Sequence, residues 1–236
     1  MTIKAIVFDM DDTLYEEQDY VVSGFKAVDE YVSRWLGIDG FYDIAVEMFR
    51  SDNKQMIFNR TLDRLEVEYD DRLIADLVDH YRCHYPDIRL LDDARWVLEQ
   101  LHDDVKIALI SDGYLSAQRQ KVAALNLSRR FDYILLTDEL GRENWKPNPL
   151  PYQTVSRKLH IPHHECMYIG DNVMKDFISA NKLGWTTVHV SRKDGVYRDR
   201  IFDSEYQAHY RVDSLRTLEN YSVFQHLFKK GDEHAS

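Results

Sequence analysis

The chain has 236 residues, 44% hydrophobic and 30% charged, the length of one or two globular domains with enough apolar material for a sizeable core. Thirty Lys and Arg against forty-one Asp and Glu leave a net charge of −11, which repels a phosphate backbone and argues against nucleic-acid polymers and anionic membranes as partners. Two cysteines, Cys83 and Cys166, are too few for a disulfide framework, no apolar run approaches the ~18 residues of a membrane span, and Lys4, Asp9, Asp11 and Asp12 interrupt the apolar region a signal peptide needs, so a soluble cytoplasmic protein is expected.

Residues 3–8 form a short apolar run rich in β-branched side chains that ends in Asp9-Met10-Asp11-Asp12-Thr13, the pattern of a buried parallel strand entering a polar loop. From there to about Pro86 the spacing is helical. Apolar stripes recur as Val21, Phe25, Val28, Val32 and Trp35, then Phe41, Ala45, Met48 and Phe49, then Ile74, Leu77, Val78 and Tyr81, each expected to pack into a core. Beyond Pro86, helix and strand alternate. A helix carrying Ala94, Val97, Leu98 and Leu101 precedes a strand over 105–110, and another helix leads to a strand over 133–136. A helix with Tyr152, Val155 and Leu159 leads to a strand over 167–169, and a last strong strand spans 186–190.

This alternation predicts an α/β fold, a doubly wound parallel sheet. Residues 196–211 carry little signal, an amphipathic helix with Leu215, Leu218, Val223 and Leu227 is expected to close the fold, and 229–236 to be a disordered tail. The expected organisation is a core over 1–15 and 89–228, interrupted after its first strand by an all-helical block over 16–88.

Four polar clusters sit at or just beyond the predicted strands: Asp9 and Asp11, Ser111-Asp112-Gly113, Trp145-Lys146-Pro147, and Gly170-Asp171 with Asp176 five positions on. An open parallel sheet binds ligands at the carboxyl ends of its strands, so segments distant in sequence can converge there. Carboxylates brought together repel one another, and a hard divalent cation such as Mg²⁺, which takes oxygen ligands and leaves positions for water and phosphate, relieves the repulsion. One carboxylate beside that metal can act as a nucleophile, and a second can protonate a leaving group and then activate water. A hydroxyl and an ammonium, here Ser111 and Lys146, can hold the oxygens of a transferring phosphoryl group.

These clusters resemble the motifs of the haloacid dehalogenase-like hydrolase superfamily: DxDxT at Asp9 to Thr13, a Ser after a strand at Ser111, Lys-Pro at Lys146-Pro147, and GDxxxxD from Gly170 to Asp176. The match runs from residue 3 to about 190 in the expected order, with Ser179 standing where many relatives have Gly. The resemblance implies a Rossmann-like core with a helical C1-type cap over 16–88, and Mg²⁺-dependent hydrolysis of a small phosphorylated metabolite through an aspartyl-phosphate. It implies Asp9 as nucleophile, Asp11 as general acid/base, and Ser111, Asp112 and Lys146 around the phosphate. It places the metal on the Asp9 carboxylate, the Asp11 backbone carbonyl and Asp171, supported by Asp176. A phosphomutase or dehalogenase on the same fold, or a non-catalytic binding protein, are the alternatives. A monomer or homodimer is expected. In the cap, Tyr20, Arg50, Lys54, Arg60 and Arg64 are candidates for selecting substrate, whereas His160, His163, His164 and Cys166 lack the ligand spacing of a zinc site and read as a solvated turn at the opposite end.

Overall fold

The computed structural model describes residues 2–51, 53–192 and 203–229. Six strands, β1 (Ala5–Phe8), β2 (Lys106–Ser111), β3 (Tyr133–Leu136), β4 (Cys166–Gly170), β5 (Thr186–Val190) and β6 (Tyr210–Val212), form one sheet in the order β3-β2-β1-β4-β5-β6. Every pairing is parallel, as the alternation of strand and helix requires. β1 and β4 are buried along their whole lengths, which explains their unbroken apolar sequences. Side chains alternate between the two faces. Ile6, Phe8, Leu109 and Ile169 pack on one side, and Ala5, Val7, Ala108, Ile110 and Tyr168 on the other.

The first of these faces is covered by α5 (Asp92–Gln100) and α6 (Leu115–Ala124), the second by α7 (Leu150–Leu159) and α8 (Ile178–Lys182). Between β1 and α5 come α1 (Glu17–Leu36), α2 (Phe41–Arg50), α3 (Ile57–Arg64) and α4 (Asp71–Cys83). They surround a separate core of Phe25, Val28, Val32, Phe41, Ala45, Leu62 and Leu77. No helix among the described residues is long and apolar enough to cross a membrane.

Several expectations require correction. Trp35 does not join the α1 stripe; it lies in the last turn of the helix and is 67% exposed. The closing amphipathic helix is instead two 3₁₀ segments, Leu215–Asn220 and Gln225–Leu227. Leu215 and Leu218 are three apart, which suits a three-residue turn, and Phe224 takes the buried position expected of Val223, which is half exposed. This segment is fastened by Asp93, which accepts from Arg192 (2.5 Å), Ser214 Oγ (3.0 Å) and the Leu215 N–H (2.8 Å). β6, a three-residue edge strand, begins at the end of the stretch of weak signal, of which 196–202 lies outside the described residues. Lys229 is held, its N–H donating to Gln100 and its ammonium pairing with Asp103; the rest of the expected tail lies outside the described residues.

Candidate active site

From β1 the sheet grows through β2 and β3 to one side and from β4 through β5 and β6 to the other, so strand order reverses between β1 and β4. Phe8 lies level with Leu109 and Ile169, and the chain therefore leaves all three strands at one height. Asp9 follows β1, Ser111 ends β2, and Asp171 follows β4. The crevice that parallel sheets offer to ligands thus opens where sequence spacing put the carboxylates.

Lys146 organises the centre. Its fully buried ammonium donates to Asp9 Oδ1 (2.6 Å), Asp176 Oδ1 (2.8 Å) and the Tyr168 hydroxyl (2.8 Å), one partner for each of its three protons. The other oxygen of Asp176 accepts from the Asn172 N–H at 2.9 Å. A Cβ on Gly170 would stand 2.3 Å from that oxygen, so only glycine fits there. Burial works against the Lys146 charge, yet Asp176 and Asp9 outweigh it and hold its pKa well above the usual range.

Asp9, Asp171 and Asp176 are buried together, one carboxylate oxygen of each lying within 4.8 Å of the others. Burial first, then the neighbouring carboxylates, push Asp171 well above the ordinary range. Burial likewise raises Asp9, to about 7, against the pull of Lys146. An all-oxygen set of three converging carboxylates has the donor chemistry of a hard divalent cation site.

Asp11 is set differently. Its Oδ1 accepts from Lys121 Nζ (2.7 Å) and from the buried Tyr15 hydroxyl. Burial alone would raise this carboxyl, but the Lys121 charge and the two hydrogen bonds hold it below the usual carboxylate range. Two carboxylates two residues apart thus sit in different electrostatic environments, Asp9 raised by burial and Asp11 lowered by Lys121. A cation at Asp9 and an anion beside Asp11 are therefore needed before the first can act as nucleophile and the second as acid.

The haloacid dehalogenase-like hydrolase family model matches residues 6–190. The chain belongs to this family. It is 27% identical over 227 residues to a glyceraldehyde 3-phosphate phosphatase of Methanocaldococcus jannaschii, covering 92% of this chain and 95% of the relative. Among solved structures it resembles a 2-haloacid dehalogenase from Pseudomonas syringae pv. Tomato DC3000 (TM-score 0.63, 18% identity, 93% and 97% covered). It also resembles a HAD phosphatase from Thermococcus onnurineus (TM-score 0.59, 22% identity, 92% and 97% covered). Structural neighbours of both reaction types share the fold, so fold alone does not choose the reaction.

Within this family member the remaining expected residues take distinct places. The buried Ser111 hydroxyl donates to Gln118 Oε1 at 3.0 Å. Asp112, expected at the phosphate, lines the cavity, and its carboxylate accepts from Thr137 Oγ1 (2.8 Å), the Lys146 N–H (3.2 Å) and Lys175 Nζ (3.1 Å). A carboxylate repels a phosphate; here it is an anchor for two lysines. The Lys146–Pro147 peptide is cis. His163 accepts from the indole N–H of Trp185 at 2.8 Å, and Asp9, Asp171 and Asp176 are the metal-capable group found among the described residues.

A cavity of about 650 Å³ has Asp9, Asp11, Asp112 and Asp171 in its wall together with Lys121 and Lys175. Of the cap candidates, Tyr20 and Lys54 also line it. Arg60 instead donates to the Asn53 carbonyl (2.6 Å), and Arg64 pairs with Glu47 at the surface (2.7 Å).

Sequence reasoning missed Lys121, Tyr15 and Lys175. Gln118 and Lys121, three apart on α6, are buried polar residues on one helix face directly after Ser111, a burial that the sequence does not reveal. With Lys121→Met, Asp11 loses its ammonium partner, and turnover of an alkyl phosphate should fall by about 10²-fold, the lower end of what acid–base assistance contributes. Steady-state kcat against the Lys121→Arg variant, which keeps the charge, measures this.

Proposed function

We propose that the chain is a Mg²⁺-dependent phosphomonoester hydrolase that transfers a phosphoryl group from a small metabolite to Asp9 and then to water. The observation that carries this reading is the convergence of Asp9, gripped by Lys146, and Asp11, held by Lys121, on a floor of buried carboxylates. A dehalogenase would need an Asp nucleophile but would leave Asp11, Asp171 and Asp176 without a purpose.

The Asp9 carboxylate attacks phosphorus, and the bond to the leaving oxygen breaks as Asp11 supplies its proton. The charge of the approaching phosphate raises the Asp11 carboxyl, which takes up the acidic proton of the phosphomonoester monoanion and hands it to the leaving oxygen. Asp11, now ionised, withdraws a proton from water; the water oxygen attacks phosphorus, and phosphate departs, restoring Asp9. Lys146 neutralises Asp9 between turnovers and, with Ser111, holds phosphoryl oxygens during transfer. Lys175, anchored by Asp112, adds a further cation at the cavity wall. The Asp9 carboxylate, the Asp11 carbonyl and Asp171, with Asp176 in support, would hold Mg²⁺, which would supply the positive charge that lets these carboxylates and a phosphate coexist. The unpaired thiols of Cys83 and Cys166 fit the reducing cytoplasm.

Phosphate release from an aryl phosphate, dependent on Mg²⁺ and abolished by chelator, tests the reading. Halide release from a haloacid without metal would point to the dehalogenase alternative, transfer of the phosphoryl group within the substrate to a mutase, and no Mg²⁺ binding at millimolar concentration to a binding protein. The raised Asp9 also sets a pH dependence. Below about 7 a proton occupies the carboxylate and the metal must displace it; above about 7 it is free. Titration calorimetry at pH 8 and pH 6 should therefore give Mg²⁺ affinity weaker by about tenfold at the lower pH.

A further inference from the structure

The apolar stripes of the cap do more than fill its core. Phe25, Phe49, Phe58, Ile74, Val78 and Tyr81 all border the cavity that holds the catalytic carboxylates. Phe25 meets Phe49 and Phe58 edge-on (centroids 6.1 and 6.2 Å), and Phe58 meets Tyr81 edge-on at 5.7 Å. Tyr81 is fixed in this wall because its ring lies against the backbone of α1 at Gly24, where a Cβ would come within 2.4 Å of it. The apolar rings thus form one surface, contiguous with the phosphoryl site and on the side where a leaving group must project.

The polar floor and the apolar roof differ in what they recognise. Lys54, Asn59 and Arg82 add polar groups to the cap side, but a three-carbon polar leaving group seated against the ring edges and aliphatic side chains of Phe25, Phe49, Phe58, Ile74 and Val78 would lose water partners there without replacement. Its bulk would also leave unfilled much of a 650 Å³ cavity, a volume within the range of drug-sized ligand sites. A flat ring would extend the edge-to-face network and bury apolar area on both partners. Arg82 and Tyr114, both in the cavity wall, stack at 3.5 Å and so join the end of α4 to the loop after β2.

We infer that the preferred substrate is a phosphomonoester whose leaving alcohol carries an aromatic ring, seated between Phe49, Phe58 and Tyr81, rather than a short polyol or triose. This rests on the hydrolase reading.

The test compares kcat/KM for 2-phenylethyl phosphate with that for glycerol 3-phosphate and glyceraldehyde 3-phosphate, in the wild-type chain with Mg²⁺. All three release alcohols, so leaving-group acidity contributes little and the ratio reads recognition. A preference for the aromatic ester of about tenfold or more is expected, the scale of burying one ring. Val78→Asp, which places a charge in the apolar wall, should cut that ratio by about tenfold. Equal or better turnover of the polyol and triose phosphates overturns the aromatic assignment while leaving the hydrolase reading standing. A ratio that is unchanged in folded Val78→Asp overturns the assignment of this wall. Failure to release phosphate from any of the three, or from an aryl phosphate, overturns the hydrolase reading and the inference with it.

Discussion

In Asp9→Asn, phosphate release falls by about 10⁴-fold or more while the protein keeps its fold and its thermal stability to within about 1 kcal/mol. The amide has the shape of the carboxylate, and its oxygen can still accept from Lys146, whose other partners, Asp176 and Tyr168, are untouched. What is lost is the nucleophile. The amide oxygen is neutral and cannot form the acyl phosphate that divides the reaction into two steps. Removing one carboxylate from the crowded trio also relieves repulsion, which works against any destabilisation. Stopped assays with an aryl phosphate, alongside thermal denaturation, separate the two effects.

Lys146→Met produces the opposite balance. The side chain is replaced at nearly equal volume, but Asp9 and Asp176 remain buried without their shared cation, beside a third carboxylate. Breaking a buried pair from one side costs about 3–5 kcal/mol, because the remaining charge is uncompensated. Stability in chelator should drop by that amount at pH 8 and by less at pH 6, where protonation removes one of the charges. Adding Asp176→Asn should recover part of the loss, and Mg²⁺ another part, since both reduce the uncompensated negative charge. Activity should fall by about 10²–10³-fold, as for removal of one preorganised donor to a transferring group. Chemical denaturation of the single and double variants, with and without metal, measures the coupling.

Both predictions concern residues that the amino-acid sequence alone singles out, and the reason is topological. Strand ends in a parallel sheet converge, so a short polar cluster after each apolar run is informative even when its neighbours are more than a hundred residues away. Asp9, Lys146, Asp171 and Asp176 are legible for that reason. Lys121 and Tyr15 are not: α6 carries no one-sided apolar stripe to say which face is buried, and in Tyr15 a polar tip on an apolar body passes for ordinary packing. Asp112 is legible in position, beside Ser111 at the cavity wall, but not in partners: its charge faces Lys175 and the Lys146 backbone, both distant in sequence. The cap stripes combine two roles. Val28, Val32 and Leu77 close a core, while Ile74 and Val78 on the same helical period face a cavity, and periodicity alone does not distinguish a wall from an interior. The end of the chain fails on period, since Leu215 and Leu218 at a spacing of three satisfy a 3₁₀ turn as well as an α-helix.

The central claim is covalent: the phosphoryl group resides on Asp9 between the two steps. It is tested most directly by acid-quenching Asp11→Asn during reaction with a nitrophenyl phosphate and Mg²⁺, then digesting and weighing the peptides. The nitrophenolate leaves without a proton donor, so the first step survives this substitution while the second, which needs a base for water, stalls. The expected result is one phosphoryl group on the peptide containing Asp9 and none when Asp9→Asn is added. Nitrophenolate released with Asp9 unmodified, or a phosphoryl group on another residue, would contradict it.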